Sequence, residues 1–261
     1  MDFVTIIGIA VVAAVASPLG GLIALWRTPT TLFMSTALGF ASGALLAAIG
    51  FEMLPDALAM SSLATACLGF ASGFAAIYLF DLFLHRGVLV GAKAEQVQRK
   101  VGLSPLPVIY EDKVTVLAAG IVAEQIVEGL SIGVGGAIQP SLGVVIASAI
   151  VIDNVGEAIS IGIMIRRART GSSRKHAMRI FGWTSLIGAV LLVSALAGWF
   201  FLRAMPPAVL GFLLAAGAGG MFYLIIADLV PEAEETQYQQ SASIGTAIGF
   251  LAIFAISTFA N

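Results

Sequence analysis

Eight stretches of the chain stay apolar for about 20 residues or more, the length that crosses the hydrocarbon core of a bilayer: 3–26, 32–55, 62–84, 114–136, 141–165, 178–202, 207–230 and 242–260. Lipid offers no hydrogen-bond partner, so each run must satisfy its own backbone, and a run of this length does so as an α-helix. The expected fold is an all-α integral membrane protein with eight transmembrane helices, forming a single transmembrane domain over 1–261. Composition closes the alternative: 59% hydrophobic and 11% charged residues, with a mean hydropathy of +1.01, do not describe a soluble globular domain. No basic segment precedes the first run, which reads as a true span and not as a removed signal peptide.

The net charge of −2 says little; the placement of the charges says more. Arg27 follows the first span. Arg86, Lys93, Arg99, Lys100 and Lys113 lie between the third and fourth, and Arg166, Arg167, Arg169, Arg174, Lys175 and Arg179 between the fifth and sixth. Only Arg203 falls in a loop of the opposite parity. Basic residues in short loops stay on the cytoplasmic side, which predicts both termini extracytoplasmic and a cytoplasmic loop over 86–113, a connector broken by Pro105 and Pro107. The expected location is the plasma membrane, the inner membrane if the source is bacterial. Cys67 stands alone and reads as a small buried apolar residue, so no disulfide framework is implied. His85 and His176, beside arginines at span ends, read as interfacial histidines.

Acids sit where acids are costly. Glu52, Asp81, Glu124, Glu128, Asp153, Glu157 and Asp228 lie within or at the ends of apolar runs, with no Lys or Arg at comparable depth. A carboxylate at the membrane centre costs about 2.5 kcal/mol or more unless paired, hydrated or neutralised. Two segments repeat the pattern: Glu124-Gln-Ile-Val-Glu128-Gly-Leu-Ser-Ile-Gly133 and Asp153-Asn-Val-Gly-Glu157-Ala-Ile-Ser-Ile-Gly162. Within each, the acids are one turn apart on one helix face, flanked by Gln125 or Asn154. Two helices thus present oxygen clusters that can meet at the midplane. Gly156, inside the second motif, predicts a local bend that frees backbone carbonyls as further ligands.

Consecutive spans run in opposite directions, so a motif repeated in spans four and five is repeated with inverted topology, as in many secondary transporters. A second repeat agrees. Glu52-Met-Leu-Pro55-Asp56-Ala57 closes the second span and Asp228-Leu-Val-Pro231-Glu232-Ala233 the seventh, with Gly43 and Gly219 each twelve residues before the proline. Spans 1–3 and 6–8 then read as inverted copies around the central pair, with each proline as a helix terminator. The hexapeptide Leu-Gly-Phe-Ala-Ser-Gly at 38–43 and 68–73 places Gly39/Gly43 and Gly69/Gly73 at the spacing that lets helices approach closely.

Clustered acids without basic partners bind either cations or protons. An intramembrane enzyme is not expected, because the chain has no Gly-x-Gly-Asp protease signature and no His-Glu-x-x-His.

The Glu-Gln-x-x-Glu-Gly and Asp-Asn-x-x-Glu-Ala motifs, the eight spans and the acid-x-x-Pro-acid ends of spans two and seven together resemble the ZIP family of divalent metal transporters, over essentially the whole chain. In that family the fourth span typically reads His-Asn-x-x-Glu/Asp-Gly and the fifth His/Gln-Asn/Asp-x-Pro-Glu-Gly. The resemblance implies transport of a divalent cation toward the cytoplasm by alternating access. It implies a binuclear site formed by Glu124, Gln125, Glu128, Asp153, Asn154 and Glu157, with Glu128 and Glu157 as bridging carboxylates. Glu52 and Asp56 are then expected on an outer pathway and Asp228 and Glu232 on an inner one, with Asp81 an interfacial bystander. This chain departs from the family where Glu124 and Asp153 replace the usual histidines, and no acid occurs between Trp183 and Phe201 of the sixth span. An all-oxygen set suits Mn2+, Fe2+, Mg2+ or Ca2+ as well as or better than zinc. A proton- or sodium-coupled transporter of another solute is the alternative. Expected partners are lipid, divalent metal ions and a second copy of the chain, but no nucleic acid.

Overall fold

The computed structural model describes residues 3–26, 30–84, 110–167, 173–202, 204–234 and 239–260. It contains α1 (Phe3–Trp26), α2 (Thr31–Ala48), α3 (Leu54–Met60), α4 (Leu63–Leu84), α5 (Tyr110–Ile138), α6 (Pro140–Arg167), α7 (Ser173–Ala197), α8 (Pro207–Leu224), α9 (Val230–Glu234) and α10 (Gln239–Ala260). Short π-helical turns join α2 to α3 over Ile49–Met53, extend α7 over Gly198–Leu202, and join α8 to α9 over Ile225–Leu229. Counted with these turns, eight helices are long and apolar enough to cross a membrane. Most of the 86–113 connector lies outside the described residues, but its last part is helical, since α5 begins at Tyr110.

Pro55 and Pro231 do not end their spans. Each follows a π turn that starts six residues earlier, and each is the second residue of the next helical segment. A proline ring clashes with the carbonyl four residues back and leaves it without a donor. The wider π turn relieves both problems, so the helix continues past the proline. The expected bend at Gly156 is also absent: α6 is one uninterrupted helix. Gly156 serves packing instead, since a Cβ there would come within 3.1 Å of Leu38 Cδ2. Cys67 is exposed on the outer face of α4, not buried.

The helices pack as two groups. α1, α5, α6 and α7 form a four-helix bundle in which α1 lies against α6 and α7, and α5 against α6 and α7. Outside it, α2 pairs with α10 and α4 with α8, while α3 leans on the start of α8. The groups meet where α2 touches α6 and where α8 touches α5. Exchanging spans one to three with six to eight, and four with five, maps α1/α6 onto α5/α7, α2/α10 onto α4/α8 and α2/α6 onto α5/α8, and maps α1/α7 and α5/α6 onto themselves. That is the pattern an inverted repeat requires.

The repeated glycines make the outer pairs possible. A Cβ on Gly43 would collide with the Thr246 carbonyl, and one on Gly249 with that of Phe40, so α2 and α10 cross with their backbones in contact. Gly73 against Ala216 and Gly219 against Phe70 repeat the arrangement between α4 and α8. In lipid, where no hydrophobic force drives helices together, such close approach supplies the dispersion contacts that hold them.

Candidate metal centre

A single residue, Gln139, separates α5 from α6. Gly136 and Gly143 flank this hairpin, and a Cβ on Gly143 would lie 2.8 Å from the Gly136 Cα, so the two helices start in contact. The hairpin sets the register of everything below it. Asp153 and Glu157 lie 14 and 18 residues past Gln139, and Glu128 and Glu124 lie 11 and 15 residues before it, so the two facing couples share one three-residue offset. The side chains meet accordingly: Glu128 shares a hydrogen bond with Asp153, and Glu124 with Glu157. Gln125 links the two pairs, its Nε2 donating to Glu128 Oε2 at 2.9 Å and to Glu157 Oε2 at 3.4 Å.

Most of the cluster is withdrawn from the surface of the bundle, with Glu157 part-exposed. Glu128 and Asp153 are 2% exposed, Glu124 9%, and Gln125 and Asn154 not at all. The two helices carry no Lys or Arg between Lys113 and Arg166. Four carboxylates this close repel unless protons or cations lie among them. The unpartnered oxygens make the same point, since the amide oxygens Gln125 Oε1 and Asn154 Oδ1 and the carboxylate oxygen Asp153 Oδ1 are buried without a hydrogen-bond partner. Each such group costs about 1–3 kcal/mol, and three of them converging on one cluster match the needs of an oxygen-seeking cation. Among the described residues no three Asp, Glu, His or Cys side chains are already gathered at metal-ligand distances; the acids stand as two facing pairs.

The flanking group adds acids on one side. Glu232 of α9 accepts from Ser160 Oγ at 2.7 Å, and it and Asp228 lie close enough to feel the charges of Asp153 and Glu124. Asp228, Asp81 and Glu124 line one small cavity with Ile77, Phe80, Gly120 and Leu224. Asp81 is therefore more than an interfacial bystander: it accepts from the Tyr223 hydroxyl at 2.7 Å and faces the same space as the cluster. Sequence reasoning missed it because its partner Tyr223 lies on the seventh span, four spans further along the chain. Glu52 and Asp56 occupy the opposite arm of the repeat. The end of the second span packs on the start of the seventh, with Gly211 against Ala57 and Ser61, which places Asp56 far from Asp228 along the bundle. Glu52 is 2% exposed, in its π turn.

No family model matches the chain. Whole-length relatives do. The chain is 34% identical to the zinc transporter ZupT of Corynebacterium glutamicum, over 96% of each protein. It is 30% identical to ZupT of Escherichia coli, over 92% of this chain and 91% of that one. Similarity of this extent, on eight membrane-spanning helices with paired acidic motifs in the fourth and fifth, makes the chain a member of the ZIP family of transporters, the family of ZupT.

Proposed function

We propose that this protein carries a divalent metal cation across the membrane toward the cytoplasm, through the site made by Glu124, Gln125, Glu128, Asp153, Asn154 and Glu157. The observation that carries this reading is the pair of facing, largely buried carboxylate couples, with no Lys or Arg on either helix between Lys113 and Arg166. A divalent cation between them offsets both their repulsion and their burial. The Gln125 amide sits where Glu128 and Glu157 converge; turning it over presents Oε1 to an ion held by the same two glutamates, the bridging position. Asp228 and Glu232, with Asp81, form the inner leg of the route, and Glu52 and Asp56 the outer.

Zinc comes to this chain from the name its relatives carry. The donors here are carboxylate and amide oxygens, so we propose a site open to Zn2+, Mn2+ and Fe2+. Alternating access would come from the α1/α5/α6/α7 bundle moving against the α2/α10 and α4/α8 pairs. Pairing of two copies belongs to the same proposal, and native mass spectrometry of the purified protein checks it.

The test is metal binding and uptake in one set of variants. Glu128→Gln and Glu157→Gln should each abolish Mn2+ and Zn2+ uptake in proteoliposomes while the proteins remain inserted, because losing a charge also removes its burial cost. Uptake at the parent rate in both variants would refute the site. Calorimetry that finds no divalent metal binding, with flux of another solute that follows a proton or sodium gradient, would favour the coupled transporter, whose carboxylate couples share protons instead.

A further inference from the structure

The buried hydroxyls of Ser42, Ser131 and Thr184 donate to the carbonyl four residues back in their own helices. Ser17 does not. It is fully buried in α1, and its Oγ has no partner. The acceptor it would use, the Ala13 carbonyl, instead takes the Asn154 amide at 3.3 Å. That bond leaves Asn154 Oδ1 without a partner too. Ala13, Ser17, Gly20 and Ala24 share one face of α1, and that face lies on α6: Gly20 against Val155 and Ala158, Ala24 against Gly162. The two helices keep constant register, so Ser17 stands level with Asn154 and Val155. Resting on the metal-site reading above, we infer that the Ser17 hydroxyl is a further oxygen donor to the cation, supplied from the first span beside Asn154.

Purified Ser17→Cys and Ser17→Ala proteins, titrated with Mn2+ and Cd2+, test it. A thiol at a contacting position should raise the Cd2+ to Mn2+ affinity ratio at least tenfold, because soft sulfur prefers the softer ion. The alanine should weaken Mn2+ several-fold. Both variants within twofold of the parent overturn the inference, and if the cysteine form does not fold, the alanine result decides. Glu128→Gln in the same titration separates the two claims: parent affinity there sinks the carboxylate site, whatever Ser17 does.

A different observation carries a second inference. Under the inverted repeat, Ser160 corresponds to Ser131 and Glu232 to Asp56, so the Ser160–Glu232 contact has a twin between Ser131 and Asp56. The first is made and the second is not. Ser131 donates to its own helix at Val127, and Asp56 Oδ2 is buried without a partner. Ser131 and the Met53 methyl both lie against Gly217, and Asp56 is one turn beyond Met53 on the second span. Both contacts join the bundle to the flanking spans, at opposite ends. We propose that they are alternative latches, one formed in each of the two arrangements of the transport cycle.

Cysteine pairs at 160/232 and at 131/56, in a background with Cys67→Ala, provide the measurement. Oxidative cross-linking of either pair in membranes should cut Mn2+ uptake at least tenfold, with recovery on reduction, and the 160/232 pair should cross-link more readily at rest. Uptake at the reduced rate in a fully cross-linked protein overturns the latches. So does failure of the 131/56 pair to cross-link during transport. If the reduced pairs do not transport, Ser160→Ala and Ser131→Ala decide. They should shift the labelling of a cysteine at 56 in opposite directions, and a shift in the same direction, or none, refutes the proposal. Glu128→Gln, read alongside, tests the transport site separately.

Discussion

On the proposed reading Glu124 and Asp153 make the centre an oxygen-only one, at the positions where the family resemblance leads one to expect imidazoles. The structure puts them in different couples, Glu124 with Glu157 and Asp153 with Glu128, so a nitrogen introduced at both positions would reach both halves of the site. The double change Glu124→His, Asp153→His is expected to raise the Zn2+ to Mn2+ affinity ratio at least tenfold, about 1.4 kcal/mol of differential binding. Competition titrations on purified protein read that ratio directly, and an unchanged value would mean that neither residue touches the metal. Which acid faces which was only partly within reach of the sequence: a hairpin at Gln139 brings the two motifs level, but each couple is offset by three residues about that turn, and the sequence alone does not give the offset. Asp81 was not within reach. Its aim toward Glu124 and Asp228 is set by a tyrosine on another helix, and no local pattern announces such a partner.

At the level of helices, glycine decides what can be tolerated. Gly43→Leu and Gly73→Leu each drive a side chain into a facing backbone carbonyl, of Thr246 and Ala216. Backbone cannot swing aside as a side chain can, so each change should cost about 1–3 kcal/mol or more. It should lower the apparent melting temperature of the detergent-purified protein by several degrees. Gly182→Ala, with nothing within 4 Å of the added carbon, should leave it unchanged. Equal effects in all three would show that the crossings are looser than described. The small-residue spacing that signals these crossings is plain in the sequence. The π turns are not: a proline after an acid reads as a stop, and only the helix continuing to Met60 and Glu234 shows that an extra residue in the preceding turn absorbs it. Removing the ring tests that account. Pro231→Ala lets the turn relax to α geometry and rotates Asp228 away from its cavity, so transport should fall several-fold with little change in melting temperature.

For the molecule as a whole, eight spans were legible because lipid leaves the backbone no choice but helix, whereas their grouping into a bundle and two flanking pairs depends on contacts between distant spans. The proposed orientation, both termini extracytoplasmic, rests on twelve of the 13 basic residues lying in loops of one parity. A cysteine introduced at Gly91 or Gly171 should be shielded from an impermeant thiol reagent in intact cells, and one at Asn261 should be labelled. The reverse pattern would turn the protein over in the membrane. The matched pairings of the inverted repeat carry one more implication. If the second arrangement uses the mirror set of contacts, it is built from nearly the same interactions as the first, and the two differ little in free energy. An unloaded carrier of that kind has an equilibrium constant near one, so a tenfold ion gradient, about 1.4 kcal/mol, suffices to bias it. No strain in the protein dictates a direction. Reversing the metal gradient across a proteoliposome should therefore reverse the flux at a comparable rate.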